Sequence, residues 1–144
     1  PENAATYAAN ALAAQDEIAR LDVAINDRLA AARDRRFVVF HDAYGYFTDH
    51  FNLPGALAIS LGDASAPGAA RLADLRQQVA GSDEVCLFPE AQHDPALIEQ
   101  LAKGTSARIG APLDPSGSTV EPGKEAYAQI LNQMADRLLA CLAP

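Results

Sequence analysis

Residues Phe37–Phe40 (FVVF) form an unbroken apolar run with Arg35 and Arg36 before it and His41 and Asp42 after it. A short apolar run bounded by charge suits a strand buried on both faces, and such strands belong to parallel sheets covered by helices. This restricts everything that follows, because parallel neighbours cannot be joined by hairpins and need long crossovers, usually helical.

The remaining sequence meets that demand. Ala56–Ser60 (ALAIS), Glu84–Phe88 (EVCLF) and Ala107–Gly110 read as three further strands. Between them, Pro67–Ala80 reads as a helix started by Pro67 and stopped by Gly81, and Asp94–Lys103 as one capped by Asp94 with Pro95 in its first turn and Gly104 past its end. A loop rich in Pro, Gly and Ser (APLDPSGSTVEPG) leads to a last helix from about Lys124 to Leu142, with Tyr127, Leu131, Met134, Leu138 and Cys141 on one stripe. The expected fold is α/β, a four-stranded mostly parallel sheet with helices on both faces and right-handed crossovers. After the first strand, DAYGYFTDHF reads as a short helix capped by Asp42, with Tyr44, Phe47 and Phe51 on one face.

Residues 1–34 read as one long helix preceding this α/β lobe of residues 35–144. Tyr7, Ala11, Ala14, Ile18, Leu21, Ile25 and Leu29 recur every three or four residues with no internal Gly or Pro, Pro1 suits a first helical turn, and PENAATYAAN is already helical in pattern. Thirty-odd helical residues reach about 50 Å, longer than the diameter of a compact domain of this size, about 40 Å or less. The first half of the helix is therefore expected to project or to pack on another lobe or a second copy. Arg28, Arg33, Arg35 and Arg36 near its end suit the helix dipole and read as solvated.

Composition narrows the partners. A formal charge of −8 argues against nucleic acid and anionic membrane surfaces and is compatible with cations. No apolar run approaches the ~20 residues of a membrane span. No G-x-S-x-G, Walker, G-x-G-x-x-G or H-E-x-x-H pattern is present, so the reading is non-enzymatic.

Three strands lead into a candidate ligand: FVVF into His41, VCLFP into Glu90, and ARIGAPL into Asp114. Ligands in open α/β sheets bind outside the carboxyl ends of the strands, so the three should converge on one edge. A histidine with carboxylates suits zinc or manganese, although a complete zinc site needs three or four protein ligands in tetrahedral geometry, of which this chain is expected to supply half. His50 and His93 read as weaker candidates, His93 as an exposed loop residue. Cys86 and Cys141 leave two outcomes open, a disulfide or two buried thiols.

Taken together, FVVFHDAYGYFTDHFNLPG, PGAARLADLRQQV, CLFPEAQHDPALIEQLAKGTSARIG, LDPSGS and the closing helix resemble the carboxyl-terminal half of the zinc-specific periplasmic solute-binding proteins of bacterial ABC importers, the ZnuA type. The resemblance implies two α/β lobes joined by a long rigid helix, with zinc held between them by histidines from both and delivered to an ABC permease. It implies that His41 is the carboxyl-lobe histidine ligand, that Asp114 is the aspartate that coordinates the metal in some members, that Glu90 is an acidic residue of the family with no ligand role carried over, and that Cys86 and Cys141 form a disulfide in the oxidising periplasm; Asp42, Tyr44 and Glu90 are expected to line the cleft behind the ligands. Manganese-binding relatives carry glutamate at the position of His41, so histidine points to Zn2+. The amino-terminal lobe of that family, with its own histidines, has no counterpart in these residues, so zinc binding by this chain alone is expected to be weak. The competing expectation is an α/β interaction module that binds no metal and associates through its exposed helix and cleft face, as a homodimer or with a partner protein.

Overall fold

A computed structural model describes residues 2–60, 62, 67–82 and 85–143. Helix α1 (Ala4–Leu29) ends in a 3-10 turn (Ala30–Ala32) and is followed by β1 (Phe37–His41), α2 (Gly45–His50), β2 (Leu57–Ser60), α3 (Ala69–Ala80), β3 (Cys86–Phe88), α4 (Ala96–Ala102), β4 (Arg108–Ile109) and α5 (Ala126–Leu142). The four strands form one sheet in the order β2-β1-β3-β4, and every pairing is parallel. The fold class read from the sequence is the one observed. Pro1 and Glu84, expected to open α1 and β3, lie outside the described residues.

Successive side chains of a strand point to opposite faces, and the apolar runs of β1 and β3 fill both. Phe37, Val39, Cys86 and Phe88 face α1, α2 and α5, where they pack with Ile25, Leu29, Met134 and Leu138. Val38 and Leu87 face the other way, into a second core with Ile59, Leu75, Val79, Ile98 and Leu101 from β2, α3 and α4. This three-layer arrangement explains why FVVF carries no polar residue. The disulfide Cys86–Cys141, with Cα atoms 6.2 Å apart, ties the middle of the sheet to α5. Beside it, the Arg108 guanidinium donates to the Cys141 carbonyl at 2.7 Å, satisfying a carbonyl in the last turn of α5.

Several element ends differ from expectation. Helices α3, α4 and α5 each begin two residues later than expected, because the preceding residues serve as their entry turns. Asp94 does cap α4, its Oδ1 accepting from the Ala96 amide at 2.9 Å. Asp42 does not cap α2: it sits exposed in a bend, and the helix starts three residues later behind Tyr44. Burial decides this, since Tyr44 is 3% exposed and its place in the core sets where the helix turns in. On α5, Tyr127 follows the stripe but lies 53% exposed, beyond the reach of the sheet.

Helix α1 buries only Ile25 and Leu29, both against the lobe, while residues 2–20 are exposed, Tyr7 and Leu12 at 68% and 64%. Its 26 residues extend about 39 Å, shorter than expected but still well past the lobe's core. Arg28 is less solvated than its sequence context suggests, since it reaches Asn132 at 2.9 Å and pairs with Asp136, fastening α1 to α5. Among the described residues, no helix is long and apolar enough to cross a membrane.

Candidate metal centre

The pleat and the register together bring His41 and Glu90 to one place. Val39 lies opposite Phe88 in the parallel pairing of β1 with β3. Two residues further along each strand direction, on the same face, stand His41 and Glu90. Glu90 continues the sheet through an isolated bridge to Leu113, closed by bonds from Leu113 N–H to the Pro89 carbonyl (2.9 Å) and from Ala91 N–H to the Leu113 carbonyl (2.8 Å). That bridge also sets Asp114 beside Glu90 at the carboxyl edge, so all three strand-end candidates reach the same edge.

Their environments differ. Glu90 is 5% exposed. Its Oε2 stands 2.5 Å from His41 Nδ1 and accepts from the Tyr44 hydroxyl at 3.3 Å, and its Oε1 stands 3.8 Å from His93 Nε2. The tautomer of His41 that donates from Nδ1 to Glu90 carries its lone pair on Nε2, the arrangement in which a carboxylate orients a metal-binding imidazole. Burial, followed by the Glu90 charge and the bond to Glu90, raises the Tyr44 phenol well above the usual tyrosine range, so Tyr44 stays a neutral donor.

Asp114 is buried and hydrogen-bonded by its own loop and by Gln92. Oδ2 accepts from the Thr119 amide and hydroxyl, both at 2.7 Å, and Oδ1 from the Ser118 amide and Gln92 Nε2, both at 3.0 Å. Burial works to raise the Asp114 pKa, but the hydrogen bonds from Thr119 and Ser118 outweigh it and hold the carboxyl well below the usual range. Gly117 permits the loop to close, with φ +70°, a conformation that residues with a side chain rarely adopt.

The residue that sequence reasoning undervalued is His93. A turn closed by the His93 amide on the Glu90 carbonyl (3.1 Å) folds it back over the sheet edge, where its ring stacks on Phe40 with centroids 4.2 Å apart. His41, Glu90 and His93 each offer a donor atom within 4.8 Å of the others, and Asp114 stands outside that trio. The open cleft above them is lined by His41, Glu90, Gln92, His93, Pro115 and Ser116. The signal available in the sequence was the i, i+3 spacing of Glu90 and His93 across a turn. His50 is elsewhere, paired with Asp22 of α1. Asp42 is exposed beside the cleft. A second, more apolar groove runs between α1, α2 and α5, past Ile18, Leu21, Tyr46, Phe47 and Leu131.

Residues 1–141 match the family described as ZnuA, zinc-uptake complex component A, periplasmic. The high-affinity zinc uptake system protein ZnuA of Paracoccus denitrificans (strain Pd 1222) is 52% identical over 142 residues, covering 99% of this chain and 44% of that protein. The protein of the same name from Brucella suis biovar 1 is 36% identical over 143 residues, covering 99% and 42%. Among solved structures, one described as the crystal structure of ZnuA superposes with a TM-score of 0.83 at 24% identity, covering 99% of this chain and 50% of the other. The periplasmic zinc binding protein TroA from Treponema pallidum superposes at 0.82 and 24% identity, covering 100% and 55%. These superpositions establish the shared fold, and the chain spans about half the length of the relatives it matches. With nearly every residue inside the match, the chain belongs to the ZnuA family of periplasmic zinc-uptake components.

Proposed function

We propose that this chain is the carboxyl-terminal lobe, with its connecting helix, of a periplasmic zinc-binding protein that captures Zn2+ and hands it to an ABC permease without catalysing a reaction. Residues 1–34 are read as the connector and 35–144 as the lobe. The observation that carries the proposal is the His41 imidazole at the carboxyl end of β1, oriented by Glu90 over an open polar cleft. A nitrogen donor at this position favours zinc over manganese, which prefers oxygen ligands. Asp114 is the second ligand proposed for this lobe, and the hydrogen bonds it accepts from Thr119 and Ser118 hold residues 115–119 at the cleft. The disulfide agrees with an oxidising compartment such as the periplasm.

The exposed apolar side of α1 supports a further partner, assigned here to the amino-terminal lobe expected from the family resemblance. Association of two copies through the same face is the competing outcome, distinguished by sedimentation of this chain across a concentration series.

Calorimetric zinc titration of the full-length protein that contains this chain tests the site. His41→Ala should weaken binding by at least tenfold, as expected when a metal site loses a donor. Wild-type affinity in that variant would remove His41 from the site and the proposal with it.

A further inference from the structure

We infer that the Gln92 side-chain amide competes with the metal ion for Asp114 Oδ1, and so sets how tightly and how fast the Asp114 arm of the site engages. The inference rests on the reading of Asp114 as the second ligand of this lobe and adds the residue that regulates it; the other donors stay with His41 and with the amino-terminal lobe expected from the family resemblance.

The lone pairs of Asp114 give the first reason. An ionised carboxylate accepts about four hydrogen bonds, two at each oxygen. Oδ2 takes both of its bonds from Thr119, amide and hydroxyl, at 2.7 Å. Oδ1 accepts from the Ser118 amide and from Gln92 Nε2, both at 3.0 Å, with the Ser118 and Ser116 hydroxyls further off at 3.2 and 3.4 Å. Both oxygens are therefore filled, and an ion gains a lone pair only where a donor withdraws. The Thr119 and Ser118 amides belong to the backbone of the loop and leave only if the loop opens. Gln92 arrives from another part of the chain, across the bridge between Glu90 and Leu113, and its side chain alone can withdraw.

Gln92 is also arranged for exchange. Its amide nitrogen carries two hydrogens, yet it has three acceptors in reach: Asp114 Oδ1, the Ser116 hydroxyl, and the Ser118 hydroxyl at 2.8 Å. One acceptor always goes without, so Gln92 can give up Asp114 while both hydrogens stay bonded to the serines. Its backbone is fixed on either side, the Ala91 amide donating to the Leu113 carbonyl at 2.8 Å and the His93 amide to the Glu90 carbonyl at 3.1 Å, which confines the movement to the side chain.

Position supplies the third reason. Gln92 is exposed and lines the cleft with His41 and Ser116, whereas Asp114 is 4% exposed and is not among the lining residues. An ion held at His41 meets Asp114 from the cleft, past the Gln92 amide. A divalent cation attracts a carboxylate more strongly than a neutral amide proton does, so the exchange runs toward the ion. The bond that Gln92 surrenders is subtracted from the affinity, as for any site whose competent state is only partly populated.

The test is made on the full-length protein that contains this chain, as wild type, Gln92→Ala, Asp114→Ala and the double variant, with Zn2+ affinity from chelator competition and association rates from stopped-flow absorption with Co2+. Gln92→Ala should bind about three- to tenfold tighter and associate faster, the worth of one net hydrogen bond. Asp114→Ala should bind about tenfold weaker or more, and in that background Gln92→Ala should change nothing. If Asp114→Ala weakens binding but Gln92→Ala leaves it unchanged or weakens it, this inference falls and the Asp114 reading stands. A gain in Gln92→Ala that persists without Asp114 overturns the inference as well. If Asp114→Ala binds as wild type does, the Asp114 reading falls and takes the inference with it. Melting of each metal-free variant identifies a folding defect. The side-chain amide resonances of Gln92 in the wild-type protein decide the matter without substitution: they should shift on saturation with Zn2+, and unshifted resonances overturn the exchange.

Discussion

Removing the Cys86–Cys141 bond tests how the two halves of the lobe depend on each other. The bond spans 55 residues and joins the central strand pair to the last helix. Closing a loop of that length in the unfolded chain removes entropy worth about 4 kcal/mol at 25 °C in the chain-entropy account. Cys86 and Cys141 are 0% and 7% exposed, so the double variant Cys86→Ala/Cys141→Ala adds a packing loss of about 1 kcal/mol. A domain of this size has a total stability of about 5–15 kcal/mol, so the variant should fold with a large fraction of its margin gone. Guanidinium denaturation followed by far-ultraviolet circular dichroism is the assay. With a denaturant slope of about 2–6 kcal/mol/M, the midpoint should fall by roughly 1 M or more. Reduced wild-type protein should behave like the variant. A loss under about 1 kcal/mol with an unchanged slope would refute the argument, because it would mean that the bond restrains little in the unfolded chain.

Two further outcomes follow from close packing and from buried charge. At Gly110 an added Cβ would lie 2.3 Å from the Phe88 ring, whose residue is fully buried, so Gly110→Ala should destabilise the lobe by about 1–3 kcal/mol; an unchanged melting temperature would show that the ring moves freely. Asp114 has a depressed pKa in the folded state, so its stabilisation is complete above the ordinary carboxylate value near 4 and is lost as pH falls through the lower folded value. Asp114→Asn should therefore cost about 1–3 kcal/mol at pH 7 and progressively less below pH 4, and urea melts showing a pH-independent difference would contradict that origin.

The parts of the site legible in the sequence were those set by strand ends. FVVF, VCLFP and ARIGAPL each point a polar residue past a strand, and parallel topology alone places such residues at one edge. What escaped sequence reasoning were the partners chosen across that edge. His93 read as an exposed loop histidine because its shelter comes from Phe40, more than fifty residues earlier. The hydrogen bonds that tie Asp114 to Gln92 were not legible, because the two meet only through the bridge between Glu90 and Leu113. Asp42 read as a cap because capping rules are local, whereas the burial of Tyr44 is not.

By itself, then, the sequence determined the alternation of strands and helices, the parallel sheet, and the arrival of His41 and Glu90 at its carboxyl edge. Those follow from apolar period and turn chemistry, which act over a few residues. Only the tertiary structure decided that Glu90 sits between two imidazoles and that Asp114 is bonded to the loop that follows it. Each depends on which surfaces meet, and contacts between segments far apart in the chain leave no local period to read.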